Sequence, residues 1–295
     1  MKEIVFISGK GGTGKTSLTA CFAVLAGKNA VLADCDVDAA DMHLLMGAKH
    51  ENGTDFYSGQ KALIDQDTCA SCGICMKECR FNAIDFWEGQ YIVDPLACEG
   101  CGLCSHLCPE SAIAMQDALA GAHYLSDTRL GTTLVHARLA AGASNSGKLV
   151  SVVKENARTY AVQHGLDLVL VDGSPGIGCP VISSLSGASY VVLITEPSKA
   201  GFSDLKRVVS LIEKFDLPSA CIINKSDLNP LVKSEMTTFL AEHNIALLPG
   251  LPYTRKFNDA ILRGKTIVET EDSKITHHIK EGWEALNTLI KEKQS

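Results

Sequence analysis

The sequence lacks an uninterrupted apolar run of 18 residues, the length that indicates a membrane-spanning helix. Its opening stretch MKEIVFISGK also lacks the long apolar segment of a signal peptide, because a glycine-rich loop follows directly. Basic residues are in the minority, since 27 Lys and Arg oppose 34 Asp and Glu and give a formal net charge of −7. We therefore expect a cytoplasmic protein with no membrane span. Because a basic patch is the usual footprint of nucleic-acid binding, we expect no such binding.

Cysteine, in contrast, is abundant, with 12 residues in a chain of 295. In a small secreted protein this number would suggest disulfides, which are rare in the cytosol. Eight of the cysteines lie between residues 69 and 108. For a long chain without secretion signals, this clustering favours metal ligation.

Short apolar runs alternate with amphipathic stretches along most of the chain. Such alternation predicts an α/β fold with a mainly parallel sheet that is covered by helices on both faces. The predicted strands span 3–8, 30–35, 166–172, 190–195, 219–224 and 245–252. The predicted helices span 16–27, 201–215, 230–243 and 255–263.

An internal repeat interrupts this alternation. The segment CASCGICMKECRFNAI at 69–84 aligns with CEGCGLCSHLCPESAI at 98–113, a period of 29 residues. All four cysteines of each copy match, as do Gly73 and Gly102. We therefore predict that residues 63–116 form a small inserted α+β domain, and that 1–62 and 117–295 form the surrounding α/β domain.

Each copy of the repeat contains the pattern C-x₂-C-x₂-C-x₃-C, which is the bacterial ferredoxin run for [4Fe–4S] clusters. In this pattern the fourth cysteine of each run binds the cluster of the other run. Zinc sites, the alternative, typically show two cysteine pairs rather than triplets with a trailing cysteine. In one departure from the pattern, Arg80 stands where the second copy has Pro109. The predicted ligands are Cys69, Cys72, Cys75 and Cys108 for cluster 1, and Cys98, Cys101, Cys104 and Cys79 for cluster 2.

The stretch GKGGTGKT, residues 9–16, satisfies the phosphate-loop pattern G-x-x-x-x-G-K-[ST]. A predicted strand precedes it and a predicted helix follows, which is the context that the motif requires. Glycines let backbone N–H groups surround phosphates, Lys15 reaches the β- and γ-phosphates, and the Thr16 hydroxyl binds Mg²⁺. A chance glycine-rich turn is the alternative. The predicted nucleotide-binding residues are Gly9, Lys10, Gly11, Gly12, Thr13, Gly14, Lys15, Thr16 and Ser17.

The second lysine of the loop, Lys10, makes KGGTGKT resemble the deviant Walker A motif of the MinD/ParA/nitrogenase-iron-protein class of ATPases. The resemblance implies that Lys10 reaches the nucleotide of a partner subunit, as an arginine finger does. A solvated surface lysine is the alternative. Other segments also resemble this class, and they imply that Asp36 positions the attacking water, Asp172 supports Mg²⁺ and Asn224 recognises adenine. The predicted catalytic residues are thus Lys10, Lys15 and Asp36, and the loop at 251–256 is expected to border the base.

The whole sequence resembles the MinD-superfamily P-loop ATPases that carry an inserted ferredoxin domain. This resemblance implies an ATPase with ATP or ADP, Mg²⁺ and two [4Fe–4S] clusters as ligands and cofactors. It also implies a nucleotide-dependent homodimer, or a heterodimer with a paralogous ATPase. The expected function is to couple ATP hydrolysis to electron transfer, or to docking on a redox or metal-cofactor protein partner.

Two other functions stay open at this point. One is an iron–sulfur carrier or assembly ATPase, although the C-x-x-C that such ATPases usually have in the ATPase domain is absent. The other is a MinD/ParA-like positioning ATPase whose clusters sense redox state. The acidic composition disfavours DNA or lipid as its cargo surface.

Four cysteines and two segments lie outside these motifs. We expect Cys21 and Cys221 in the core and leave Cys35 as a packing residue, whereas Cys179 is either a packing residue or a ligand of a cluster on a dimer axis. The segment 134–150, with His136, Arg138 and Lys148, is predicted either to face a partner or the nucleotide, or to form a polar surface loop. The last helix is expected to dock on the core through Ile275, Ile279, Trp283, Leu286 and Ile290, which share one face.

Overall fold

The computed structural model describes residues 1–48, 53–270 and 272–292. The chain forms two compact units. The first comprises Met1–Gly53, His123–Arg138 and Ser146–Ser295, and the second comprises Thr54–Ala122 and Leu139–Asn145. The second unit contains all eight clustered cysteines. The predicted insert limits, 63 and 116, stay a prediction.

In chain order, the helices and strands lie first around the phosphate loop, then in the cysteine repeat, and then in the rest of the chain. The amino-terminal elements are β1 (Lys2–Ser8), α1 (Lys15–Ala26), β2 (Ala30–Asp34) and α2 (Met42–Met46). The following elements contain the repeat and are β3 (Thr54–Ile64), α3 (Ile74–Glu78), β4 (Ile84–Trp87), β5 (Gln90–Val93), α4 (Leu103–Leu107) and β6 (Ile113–Asp127). The remaining elements are β7 (Thr133–Leu139), α5 (Ser146–Gln163), β8 (Leu168–Pro175), α6 (Cys179–Leu185), β9 (Tyr190–Thr195), α7 (Lys199–Lys214), β10 (Ser219–Ile223), α8 (Pro230–Glu242), β11 (Ala246–Leu247), α9 (Lys256–Leu262), α10 (Ile267–Thr270) and α11 (Lys274–Glu292).

The sheet of the first unit has the strand order β11-β10-β9-β1-β8-β2-β7. Each of these neighbouring pairs is parallel, and Ile4 of β1 lies opposite Leu170 of β8 on one side and Tyr190 of β9 on the other. The strands are buried because helices flank the sheet, as in doubly wound α/β folds. This confirms the predicted α/β fold with a mainly parallel sheet.

Strand β7 covers the start of the segment 134–150, which was predicted either to face a partner or the nucleotide, or to form a polar surface loop. It pairs with β2, so that His136 lies opposite Asp34. The His136 side chain is fully buried, and its ring stacks on those of His43 and Tyr124, with centroids 5.6 and 5.1 Å away. For His136 the partner-facing and surface-loop alternatives are therefore wrong, whereas the nucleotide-facing alternative stays a prediction.

Strand β11 is shorter than predicted and contains only Ala246 and Leu247. The predicted run continued to residue 252, but it includes Pro249, Gly250 and Pro252. Proline cannot donate a ladder hydrogen bond and glycine weakens a strand, so the pairing stops early.

The last helix, α11, packs on the core as predicted. Ile275, Ile279, Leu286 and Ile290 are buried in the same apolar cluster as α1. The Trp283 ring lies 5.6 Å from the ring of Phe22 in α1, between centroids. Among the described residues, no helix is long and apolar enough to span a membrane.

A buried ionic group joins β1, α5 and the end of α6. The Lys154 ammonium lies 2.8 Å from Glu3 Oε1, while Arg158 Nε lies 2.6 Å from Glu3 Oε2. Lys154 Nζ also donates to the carbonyl oxygens of residues 183, 184 and 186. Burial lowers the pKa of Lys154, and the Glu3 carboxylate opposes this effect. These contacts tie the carboxyl end of α6 to the core.

Replacing Lys154 by methionine is expected to lower the free energy of unfolding by about 3–5 kcal/mol, because the change leaves Glu3 buried with a weaker set of partners. Urea unfolding of the anaerobic protein, followed by far-UV circular dichroism, measures the loss. Lys214→Met, on an exposed side chain of α7, is the control and should change stability by less than about 0.5 kcal/mol. Equal losses in the two variants would contradict the structural role of Lys154.

The two halves of the cysteine repeat have the same backbone. Helix α3 follows Gly73 at φ 74° and α4 follows Gly102 at φ 75°. Asn82 and Ser111, one period apart, both have left-handed backbones with φ of 50° and 53°. Between the halves, β4 and β5 form an antiparallel hairpin with Ile84 opposite Val93. The period of 29 residues in the sequence thus corresponds to a repeated structure.

Candidate functional site

The phosphate loop connects β1 to α1 at the carboxyl edge of the sheet. Gly14 has φ 91°, and a Cβ atom there would lie 2.5 Å from Asn224 Nδ2. A Cβ atom on Gly9 would lie 2.4 Å from the Cβ of Asp204 in α7. Both positions therefore require glycine, the first for its backbone angle and both for the close approach of a neighbour. The helix that follows begins at Lys15, so its free N–H groups face the loop.

Lys15, Thr16 and Asp172 meet at the start of α1. Lys15 Nζ lies 2.9 Å from Asp172 Oδ1, and the Thr16 hydroxyl donates to Asp172 Oδ2 at 2.6 Å. Thr19, one helical turn after Lys15, also donates to Asp172 at 3.1 Å. Asp172 is fully buried and Lys15 is 6% exposed, so this carboxylate is held almost entirely by protein donors.

Two more acids lie beside this group: Asp34, the last residue of β2, and Asp36, which follows the strand. Asp36 Oδ2 lies 3.6 Å from Lys15 Nζ, while Asp34 accepts from the backbone N–H groups of Asp36 and Met42, both at 3.2 Å. Asp34 thereby holds the turn that carries Asp36. The predicted water-positioning acid thus lies beside the phosphate-loop lysine.

Burial and the neighbouring charges together raise the pKa values of Asp34, Asp36 and Lys15. Burial raises the pKa of Asp34 to about 8, and the neighbouring Asp172 charge adds to the effect. Burial also raises the pKa of Asp36, against the charge of Lys15. Burial by itself lowers the pKa of Lys15, but Asp172 and Asp36 outweigh it, so that the pKa is raised overall. Lys15 therefore stays charged at neutral pH.

Lys10 is held within its own chain. Lys10 Nζ lies 2.6 Å from Glu196 Oε1, and Lys225 Nζ lies 2.7 Å from the other oxygen of the same carboxylate. Lys225 also donates to the Gly12 carbonyl at 3.1 Å. Burial raises the pKa of Glu196, but hydrogen bonds from the two lysines outweigh it and lower the value overall. One carboxylate thus holds two cations at the phosphate loop.

Asn224 borders a cavity of about 330 Å³ beside the loop. Its side-chain N–H donates to the Thr13 carbonyl at 2.7 Å, and its Oδ1 accepts from the N–H of Lys225 at 2.9 Å. The cavity is also lined by Gly12, Gly14 and Ser17, and by Pro252, Tyr253, Thr254, Phe257 and Asn258. The predicted base-recognition residue and the predicted bordering loop are therefore on the same cavity.

A family model for the CobQ/CobB/MinD/ParA nucleotide binding domain matches residues 4–267. The chain belongs to this family. An uncharacterized protein of Methanocaldococcus jannaschii is 31% identical over 290 residues, which cover 98% of this chain and 97% of that protein. The septum site-determining protein MinD of Thermotoga maritima is 22% identical over 251 residues, 83% of this chain and 72% of that protein.

A solved structure has a similar fold. The septum site-determining protein MinD complexed with Mg-ADP from Pyrococcus horikoshii superposes with a TM-score of 0.60 and 17% identity, covering 98% of this chain and 96% of that chain. At this identity the similarity concerns the fold. The predicted P-loop NTPase fold is therefore confirmed for the nucleotide-binding domain.

In this CobQ/CobB/MinD/ParA family member, the second unit holds two small cavities lined by cysteines. One is lined by Cys69, Cys72, Cys75 and Cys108, and the other by Cys79, Cys98, Cys101 and Cys104. Each cavity thus takes three cysteines from one run and the last cysteine of the other. Backbone N–H groups of Ala83 and Ala112 point at Cys79 Sγ and Cys108 Sγ from 3.4 and 3.3 Å. No three His, Cys, Asp or Glu side chains of the described residues converge as ligands of a single ion would.

The remaining cysteines have different surroundings. Cys21 and Cys221 are fully buried in the core, as predicted, and burial raises the pKa of Cys21 to about 12. Cys35 is buried as well. Cys179 is exposed at the first residue of α6. Its suggested role as a cluster ligand stays a hypothesis.

Three residues that contact the candidate site were not predicted from the sequence. Glu196 follows β9, where side chains of an open α/β sheet meet a ligand, and this position is the signal that could have identified it. Thr19 stands four residues after Lys15, on the same helix face. Lys225 directly follows the predicted Asn224. The role of Glu196 becomes recognisable only when the order of the strands is known.

Proposed function

We propose that the protein is a Mg²⁺-dependent ATPase that couples a nucleotide-dependent dimer to two iron–sulfur clusters and to a redox or metal-cofactor partner. The observation that carries the coupling is the presence of two four-cysteine cavities in a chain with a complete phosphate loop. The family membership supports nucleotide binding, and the Mg-ADP of the Pyrococcus horikoshii MinD structure supports the nucleotide type.

The residues at the phosphate loop fit a magnesium nucleotide. Backbone N–H groups from Gly9 to Thr16 surround the phosphates, and Lys15 neutralises their charge. Mg²⁺ prefers oxygen ligands, and the Thr16 hydroxyl and the Asp172 carboxylate offer them at one place. In the proposed site Asp36 orients the attacking water. When bound, the metal neutralises charge that develops on the phosphate oxygens.

Lys10 completes the site of a second subunit in this proposal. To do so it has to leave Glu196, which is also held by Lys225. Partly exposed pairs of this kind are worth about 0.2–1 kcal/mol, so the release costs little compared with the binding of a triphosphate. Glu196 therefore keeps Lys10 near the loop without preventing its transfer.

The second unit fits two [4Fe–4S] clusters. A cubane cluster binds its four thiolates at four different irons, so its ligands surround a volume instead of converging on one point. This explains why four cysteines line each cavity although no site for a single ion is present among the described residues. The N–H groups that point at Cys79 and Cys108 stabilise thiolate charge. When bound, the clusters supply one-electron redox chemistry.

The proposed coupling is tested by the steady-state ATPase rate of anaerobic protein, first with oxidised and then with dithionite-reduced clusters. We expect the rate to change several-fold with redox state. Lys10→Ala should lower it by about 10²-fold in both states, the effect of losing one transition-state cation. Lys214→Ala, with an exposed side chain, is the control. A rate that ignores the redox state would refute the coupling to the clusters, and a rate that ignores Lys10 would refute the dimeric site.

A positioning ATPase is the second candidate, because the chain is similar to septum site-determining MinD proteins. It predicts ATP-dependent binding to lipid vesicles or DNA at physiological salt. A cluster carrier instead predicts ATP-dependent transfer of iron to an apo-protein. Neither behaviour is expected of the coupled ATPase.

A further inference from the structure

The net negative charge of the whole chain lies in the second unit. It contains ten Asp and Glu but only three Lys and Arg, a formal charge of −7. The whole sequence also has a net charge of −7, so the remaining residues are balanced, with 24 of each sign. Clusters held by thiolates would add further negative charge. The second unit therefore attracts cations and basic proteins.

An open groove of about 530 Å³ lies in this acidic unit. Residues of β3, β5 and β6 and of the segment 140–144 line it. The segment is fixed by the Ala140 N–H, which donates to the Ala120 carbonyl at 2.9 Å. Lys61, which lines the groove, donates to the carbonyl of Cys98. The groove is thus built of hydrogen-bonded segments.

Four large apolar side chains line the groove and are exposed to solvent. They are Leu63, Ile92, Leu96 and Leu119, with exposed fractions of 53, 45, 72 and 55%. The acids Glu99 and Asp117 also line the groove. Protein–protein contact surfaces combine apolar side chains with polar ones, and the lining of this groove offers both.

The groove is adjacent to both cysteine cavities. Ile64 and Tyr91 line both the groove and the cavity of Cys69, Cys72, Cys75 and Cys108. Ala62, Val93 and Glu99 line both the groove and the cavity of the other four cysteines. A single layer of residues thus separates a bound partner from either cavity. One-electron exchange moves no atom and breaks no bond, so it needs only this close approach.

We propose that this groove docks a basic redox protein, whose apolar centre covers Leu96 and Leu119 and whose lysines or arginines face Glu99 and Asp117. This inference rests on the proposed function, because a docked redox protein can exchange electrons only if the clusters are present. The partner is expected to be basic because the second unit is negatively charged and attracts a positively charged surface. Small, weak and salt-dependent interfaces are typical of redox encounters.

The test measures binding by titration calorimetry at low salt, with both proteins oxidised so that no electron moves. The probe is a basic ferricytochrome c, and an acidic flavodoxin is the opposite probe. We expect micromolar binding of the cytochrome that weakens at least tenfold on raising the salt from 20 to 200 mM, and no binding of the flavodoxin. Glu99→Lys with Asp117→Lys should weaken cytochrome binding about tenfold.

The matched control is the pair Asp55→Lys with Glu88→Lys, which makes the same change of charge in the same unit outside the groove lining. It should weaken binding no more than twofold to threefold. Leu96→Gln with Leu119→Gln leaves the charge unchanged and should weaken binding about fivefold without altering the salt dependence. Equal effects of the two charge reversals, or tight binding of flavodoxin, would overturn the docking site.

Iron content is measured in every variant, which separates the two proposals. Protein that lacks iron refutes the proposed function. Protein with its full iron content and unchanged affinity in the groove variants refutes the docking site alone.

Discussion

Replacing Lys15 by methionine should lower ATP hydrolysis by at least about 10²-fold and weaken nucleotide binding. In the structure Lys15 is the cation closest to Asp172 and also lies 3.6 Å from Asp36. Its loss removes the charge that faces the phosphates and leaves adjacent buried carboxylates without their counter-ion. Turnover of ATP and the affinity for a fluorescent ATP analogue, measured on the folded fraction, give the two effects.

Lys154→Met is a demanding control for this experiment. Lys154, like Lys15, is a buried lysine that pairs with a buried carboxylate, and it lies outside the phosphate loop. Both variants should lose stability, but only Lys15→Met should lose nucleotide binding. If the folded Lys154→Met protein lost as much hydrolysis, general destabilisation would explain the result. Hydrolysis above one tenth of the wild-type rate in Lys15→Met would contradict the assigned site.

The second large effect is expected from pairs of cysteine substitutions. Wild-type protein should contain about eight irons per chain, and loss of one cluster should leave about four. Cys72 and Cys108 line the same cavity, so their double replacement by alanine should still leave about four irons. Cys72 and Cys79 line different cavities, so their double replacement should leave almost none.

These two double variants discriminate between two pairings of the cysteines. If each run bound its own cluster with all four cysteines, the two iron contents would be exchanged. Zinc in place of iron would refute the cluster assignment altogether. Cys179→Ala is the control, and its iron content should equal that of the wild type. A fall from a value well above eight would instead favour the hypothesis of a cluster on a dimer axis.

The phosphate loop and the central strands were predictable because their signals are local. Residues 3–8 and 190–195 are short apolar runs, which predict buried strands. A glycine loop of this pattern directly after a strand predicts a phosphate loop. Strand β7 was missed because His136 and Arg138 interrupt its apolar pattern. The burial of His136 depends on His43 and Tyr124, which lie outside the strand. No local pattern contains that information.

The same limit applies to the candidate site. Lys15, Asp36 and Asp172 were predicted from motifs, and the structure brings them together. Glu196 was not predicted, because its role depends on the adjacency of β9 to β1 and on two lysines from different loops. Motifs identify residues that contact a ligand, whereas residues that hold those side chains become visible only in the fold.

The exchange of the last cysteine between the two halves of the repeat has a consequence for the origin of this unit. Neither half contains the four cysteines of a complete cavity, since Cys79 and Cys108 each line the cavity of the opposite half. An ancestor of half this length would have needed a second copy of itself, and each copy would have supplied one cysteine to the site of the other. Duplication and fusion of its gene would then have converted a symmetric pair of peptides into a single chain.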